Sequence, residues 1–286
     1  MTSIVPQIDP PPTPSKLLSR YGPWAVITGA SDGIGREFAF RLAQAGFNLV
    51  LVARRRAALE TVAIETAARH GVQNRVLSVD LGREESVESI QMQTSDLDVG
   101  LLVAAAGFGT SGRLIDSHLE QETNLLNVNC RAVLGLSLHF GRRLAGRGRG
   151  GIILLSSLVG FQGTPYAANY SATKAYVQTL AEALHAELGS LGVDVLASAP
   201  GPVHSGFATR AGMQLNLALK PEEVVQNTLD ALGRKTTVVP GLLSKFLTYS
   251  LLPLPRPVRT RIMGRIMRGM TRHRDGAIPR QNPKPA

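Results

Sequence analysis

Thr28-Gly29-Ala30-Ser31-Asp32-Gly33-Ile34-Gly35 follows the apolar run Trp24–Ile27 and leads into a helical pattern of apolar residues, so it reads as strand, tight turn, helix. Gly29, Gly33 and Gly35 remove Cβ atoms where a backbone must bend sharply or let a phosphate come close. A helix beginning near Ile34 points its unpaired N–H groups and positive dipole end at that turn, which suits a pyrophosphate. The spacing is GxxxGxG rather than the commoner GxGxxG. Taken alone it also fits a plain strand-to-helix connection with no ligand.

Downstream, Phe38, Ala39, Leu42 and Ala45 recur at helical spacing and stop at Gly46. Asn48–Ala53 is a continuous apolar run, as in a strand buried on both faces, and Arg56–His70 is helical again. The alternation continues with strands over Arg75–Val79, Val99–Ala104, Gly151–Ser156, Val193–Ala199 and Thr236–Val239. Between them the pattern predicts helices over 83–93, Leu119–Leu144, Ala168–Leu188 and Pro221–Leu232, the last opened by proline. The fold class is therefore α/β: a single Rossmann-type, doubly wound parallel sheet of about seven strands with helices on both faces. Its ligand belongs beyond the carboxyl ends of the strands. No linker-like stretch interrupts residues 21–240, which read as one domain between a loose proline-rich arm over 1–20 and an extension over 241–286.

The strand ends carry the unusual chemistry. They fall at Thr28-Gly29, Arg54, Asp80, Gly107, Ser156-Ser157 and Pro200-Gly201. A carboxylate after the second strand would hold a ribose 2′-hydroxyl, whereas Arg54, Arg55 and Arg56 stand there instead, and a cation accommodates a 2′-phosphate. NADP is thus preferred over NAD, against the alternative of a merely solvated arginine run. Asp80 fits two roles equally, capping the next helix or accepting from an adenine amino group.

Tyr170-Ser-Ala-Thr-Lys174 places a phenol and an ammonium four residues apart on one helix face, thirteen residues after Ser157. A phenol with a pKa of roughly 10 is a poor proton-transfer group at neutral pH, and a neighbouring ammonium is expected to lower it. Ser157 can hydrogen-bond a substrate carbonyl oxygen.

Together these residues resemble the short-chain dehydrogenase/reductase family over about Trp24–Val239. The motif TGxxxGxG is Thr28–Gly35, the Ser-Tyr-Lys set is Ser157, Tyr170 and Lys174, the catalytic asparagine is Asn129, and PGxVxT appears as Pro200-Gly-Pro-Val-His-Ser205. The style of Ala25–Leu59 is similar to the NADPH-using branch with 17β-hydroxysteroid and long-chain 3-oxoacyl-CoA reductases. The resemblance implies Tyr170 as general acid/base, Ser157 polarising the carbonyl, Lys174 on the nicotinamide ribose, and Asn129 holding a water. It implies cofactor contacts at Gly29, Ser31, Asp32, Gly33, Ile34, Gly35, Arg54, Asp80, Leu81, Ala105 and Gly107, and at Tyr170, Lys174, Pro200, Gly201, Val203 and Ser205. Two positions depart from the family: its NNAG is Ala104-Ala-Ala-Gly107, and Ser205 replaces threonine. The expected activity is NADP(H)-dependent hydride transfer with a lipophilic ketone or secondary alcohol, 3-oxoacyl or steroid-like. The alternatives are a dehydrogenase of a polar alcohol, or a non-catalytic cofactor sensor or scaffold. A homodimer or homotetramer is implied through the helices at 119–144 and 168–188.

The segment His204–Leu219, with Phe207, Met213, Leu215 and Leu217, is expected to close the substrate pocket together with Leu158, Val159, Phe161 and the loop Phe108–Leu114. Cys130, the single cysteine, excludes an internal disulfide and reads as core, and the histidines have no ligand spacing, so no metal is implied. With no secretory signal or membrane span in the reading, a cytoplasmic location is expected. The net charge of +10 is concentrated in residues 256–286, with nine Lys or Arg against Asp275, so the body is nearly neutral and nucleic acid is not an implied partner. Val258, Ile262, Ile266 and Met270 recur at helical spacing among arginines. Within 242–270 this leaves two readings: peripheral contact with an anionic membrane, or a stripe packed on the body or a partner subunit.

Overall fold

The computed structural model describes residues 15–212 and 218–271. Its chain order is α1 (Lys16–Tyr21), β1 (Trp24–Thr28), α2 (Gly33–Gln44), β2 (Asn48–Ala53), α3 (Arg56–His70), β3 (Asn74–Ser78), α4 (Ser86–Met92) and β4 (Val99–Ala104). Then come α5 (Leu119–Leu126), α6 (Ala132–Arg147), β5 (Gly150–Leu155), α7 (Ala168–Gly189), β6 (Val193–Ser198), α8 (Gly206–Ala211), α9 (Pro221–Ala231), β7 (Thr237–Val238), α10 (Leu242–Leu251) and α11 (Arg256–Thr271).

The strands form one seven-stranded parallel sheet in the order β3-β2-β1-β4-β5-β6-β7. Alternate side chains explain why it is covered twice. Ile27, Leu49, Leu51 and Leu101 meet Phe38, Leu42, Leu59 and Val225 of α2, α3 and α9 on one face. Val26, Val50, Leu102 and Ile152 meet Ile90, Phe140 and Val177 of α4, α6 and α7 on the other. The chain reverses its direction of travel across the sheet between β1 and β4, which opens a crevice at their carboxyl ends.

Three differences from the sequence pattern have physical causes. The helix predicted over 119–144 is divided by a π-turn at Asn127–Arg131, where the Ala132 N–H donates to the Asn127 carbonyl five residues back. That turn holds Asn129, whose amide is committed to the neighbouring loop. The arm read over 1–20 contains α1 at its end, capped by the Ser15 hydroxyl and anchored by buried Tyr21, which donates to Asp194 at 2.7 Å. Residues 1–14 lie outside the described residues.

The largest difference is at the C-terminal end. α10 and α11 fold back over the mouth of the crevice, where Leu251, Met263 and Met267 are buried with Leu125, Leu158, Val159 and Tyr170. Gly264 permits the approach, since a Cβ there would sit 3.1 Å from the Pro165 ring. Arg268 Nε donates to the Tyr166 hydroxyl at 2.9 Å and the guanidinium lies over that ring. The apolar stripe of α11 thus packs on the body of the chain. No helix among the described residues is long and apolar enough to cross a membrane.

Candidate active site

The glycine turn is built as its composition requires. Gly29 and Gly33 adopt left-handed backbone conformations with φ of +72° and +51°, and a Cβ on Gly35 would collide with the Gly29 carbonyl oxygen. Asp32 caps α2 by accepting from the Gly33 N–H at 2.7 Å. Thr28 Oγ1 accepts from the Ala106 N–H at 3.0 Å, tying the carboxyl ends of β1 and β4 together across the crevice.

A cavity of about 490 Å³ runs along these ends. Gly29, Ser31, Asp32, Gly33, Ile34 and Gly35 line it at the turn, followed by Arg54, Asp80, Leu81, Ala105 and Gly107. Pro200, Gly201, Val203 and Ser205 line it from the segment after β6, and a Cβ on Gly33 would lie 2.8 Å from Ser205 Cβ, so the turn and that segment close on each other. Asp80 Oδ1 accepts from the Gly82 N–H at 3.0 Å, so it shapes its own turn. The three arginines separate. Arg56 is held by Glu60 at 2.8 Å and faces away, Arg54 lines the cavity, and so does Arg55, which the resemblance did not single out. Arg55 Nη2 lies 3.4 Å from the Ser31 carbonyl and 3.8 Å from an Asp32 carboxylate oxygen, so its charge hangs over the turn. A left-handed glycine turn, a helix N-terminus and two arginines at the end of β2 fit a nicotinamide dinucleotide.

Ser157, Tyr170 and Lys174 line the same cavity. Ser156 Oγ donates to the Lys174 carbonyl at 2.9 Å and fixes α7 against the end of β5. Lys174 Nζ donates to the Leu155 carbonyl at 2.7 Å and lies 5.8 Å from the Tyr170 ring centroid. Gly107 has no Cβ where one would sit 3.1 Å from Asn129 Oδ1 and 3.5 Å from Lys174 Nζ, so the three converge. Asn129 is buried behind the cavity wall. Its amide nitrogen donates to the Phe108 carbonyl and to Thr173 Oγ1, and its oxygen accepts from the Phe108 N–H.

The pKa directions correct one expectation. The sequence pattern predicts that Lys174 lowers the Tyr170 phenol, yet burial pushes this phenol above its ordinary value, and hydrogen bonding with Ser157 recovers only part. The lysine is shifted as well: burial brings it down to about 8, against a smaller upward pull from Cys130. Cys130 itself is half-buried, and burial raises its thiol. At neutral pH the site therefore holds a protonated phenol and a protonated amine. Among the described residues no group of His, Cys, Asp and Glu could hold a metal ion.

The lid differs from its sequence reading. Phe207 lines the cavity with its ring 5.4 Å from that of Tyr170, and Phe108, Leu158 and Val159 line it too. His204, Leu114 and Phe161 do not line it, and Met213, Leu215 and Leu217 lie outside the described residues. Much of the remaining wall comes from Leu247, Thr248 and Leu251 of α10 and Met263, Ile266, Met267 and Met270 of α11. The apolar stripe of α11 was a signal that something must be covered, and nothing in it said what.

The short chain dehydrogenase family model matches residues 23–216, so the chain belongs to that family. It is 30% identical over 242 residues to a 7β-hydroxysteroid dehydrogenase of Collinsella aerofaciens, covering 80% of this chain and 90% of the relative. It is 33% identical to a very-long-chain 3-oxoacyl-CoA reductase of Phaeosphaeria nodorum, over 77% of this chain and 67% of the relative. A short-chain dehydrogenase of Sphingobium yanoikuyae solved in complex with NADPH superposes with a TM-score of 0.76 at 28% identity, covering 92% and 99% of the two chains. The protein is an oxidoreductase acting on the CH–OH/C=O couple with a nicotinamide cofactor.

The position of Lys174 yields a pH dependence. Its ammonium is complete well below pH 8 and is lost as pH rises through about 8, so an affinity that uses it is full near pH 6 and declines across that range. Fluorescence titration is expected to give NADPH affinity flat near a pH of about 6 and about tenfold weaker by a pH of about 9.5. Lys174→Met should be weaker at pH 7 and show no such decline.

Proposed function

We propose that the chain is an NADP(H)-dependent enzyme that moves hydride between nicotinamide C4 and a lipophilic ketone or secondary alcohol, steroid-like or 3-oxoacyl. The observation that carries this reading is the composition of the cavity beside Tyr170, where Leu158, Val159, Phe207, Leu251, Met263 and Met267 form an apolar wall. Such a wall disfavours a small polar alcohol, whose hydroxyls would lose water without partners. The names of the two relatives, one for a hydroxysteroid and one for a very-long-chain 3-oxoacyl thioester, support the same substrate class.

When bound, the nicotinamide supplies or accepts the hydride. Tyr170, kept protonated by burial, donates its proton to the carbonyl oxygen as negative charge gathers there. Ser157 donates a hydrogen bond to the same oxygen. Lys174 holds the nicotinamide ribose, and its distance from Leu155 O fixes where its charge sits. Asn129 is a positioning residue. Both of its amide protons are used, so it sets the Phe108 backbone beside Lys174. In the oxidative direction the phenol must first lose its proton, and the net direction is set by the cofactor ratio and the substrate. Arg54 and Arg55 would share the 2′-phosphate. Exposed Leu134 and Leu138 of α6 and Tyr176 of α7 support a homodimer or homotetramer formed through that face.

Tyr170→Phe is expected to lower the rate of NADPH oxidation with a bulky ketone about 10³-fold while the NADPH dissociation constant stays within a few-fold. Arg54→Ala/Arg55→Ala should weaken NADPH about 30-fold and leave NADH nearly unchanged, read by equilibrium titration of each cofactor. Leu138→Glu should shift the mass measured by light scattering toward that of a monomer.

A further inference from the structure

α10 is apolar on both of its sides. Its inward side carries Leu247 and buried Leu251 together with the buried hydroxyls of Ser244 and Thr248, while on the outer side Leu242 is 83% exposed, Phe246 68% and Tyr249 57%. These three are spaced i, i+4 and i+7, so they form one ridge, and Leu243 and Leu252, also exposed, flank it. A helix that merely completes a lid needs one apolar side, on the body, and leaves the second, outward ridge without a function.

The charge beside the ridge is all of one sign. From Leu242 to Thr271 the sequence holds Lys245 and five arginines with no acid. Arg256, Arg261 and Arg265 are exposed on α11, whose own apolar stripe is spent on the body through Met263 and Met267. Among the described residues none of these cations forms an ion pair. A second copy of the chain docking through the same face would bring like charges together. An anionic bilayer surface satisfies both features at once, taking the ridge into the headgroup boundary and the arginines against the phosphates.

We propose that α10 and α11 form a docking surface for an anionic membrane, with the apolar contact supplied by Leu242, Phe246 and Tyr249 and the electrostatic contact by the exposed arginines of α11. The inward sides of the same two helices line the cavity, so docking sets the lid of the lipophilic site against the bilayer. The docking does not depend on the substrate assignment, because it is read without turnover.

The test is co-sedimentation of the full chain with phosphatidylcholine vesicles, with and without phosphatidylserine. Wild type is expected to partition to the anionic vesicles and to lose that partitioning in about 0.5 M salt. Arg261→Gln/Arg265→Gln should bind about 25-fold less, and Leu242→Gln/Phe246→Gln/Tyr249→Gln more than about tenfold less, with NADPH affinity unchanged in both. These positions lie outside the cavity wall, and unchanged NADPH affinity shows that the variants are folded. Equal recovery of wild type and the triple variant, or no recovery of wild type on anionic vesicles, would overturn the proposal. A fall in the light-scattering mass of the triple variant without any vesicle binding would overturn it in favour of self-association.

Discussion

The constraint on which the rest depends is the closeness of two strand ends. β1 and β4 are neighbours with their carboxyl ends level, and the backbone leaving β1 must turn into a helix in a space where no Cβ fits. The Thr28 hydroxyl spans the gap to Ala106 and holds it at hydrogen-bond width. Every other element of the site is referred to that gap. The arginines after β2 reach it because β2 lies beside β1, and Ser157 reaches it because β5 lies beside β4. Parallel strands make this possible, since they deliver all their ends to one edge, and covering both faces with helices leaves that edge as the open one.

The proton chemistry follows from burial. A phenol and an amine placed in a water-poor pocket both resist carrying charge, so Tyr170 moves up and Lys174 moves down. The two shifts make the site a loaded acid beside an amine close to its titration point. The Leu155 carbonyl accepts a hydrogen bond from that amine at 2.7 Å and fixes its place beside the crevice. At Tyr170 burial outweighs the hydrogen bond with Ser157, which is why the simple expectation of a lowered phenol does not hold here.

Short local patterns were the legible part of the sequence. Thr28–Gly35 spans eight residues and Tyr170–Lys174 five, so local spacing sets much of the geometry, and the alternation of apolar runs sets the sheet. The π-turn at Asn127–Arg131 was invisible because helical periodicity is nearly the same on either side of one extra residue. The roles of α10 and α11 were hidden for another reason. Amphipathicity records that a face must be covered, and α11 covers the mouth of the cavity through Met263 and Met267, while α10 leaves its apolar ridge outside. Which surface receives which face is a property of the tertiary arrangement. Arg55 was likewise ambiguous within a run of three arginines until Glu60 claimed Arg56.

The central claim is that one fixed crevice orients the nicotinamide ring beside the Tyr170 hydroxyl. It is tested most directly by supplying NADPH deuterated on one or the other face of C4 with a lipophilic ketone and weighing the alcohol formed. The account predicts that label passes to the carbinol carbon from one face only. Transfer from both faces, or an alcohol that carries no label from either, would contradict it.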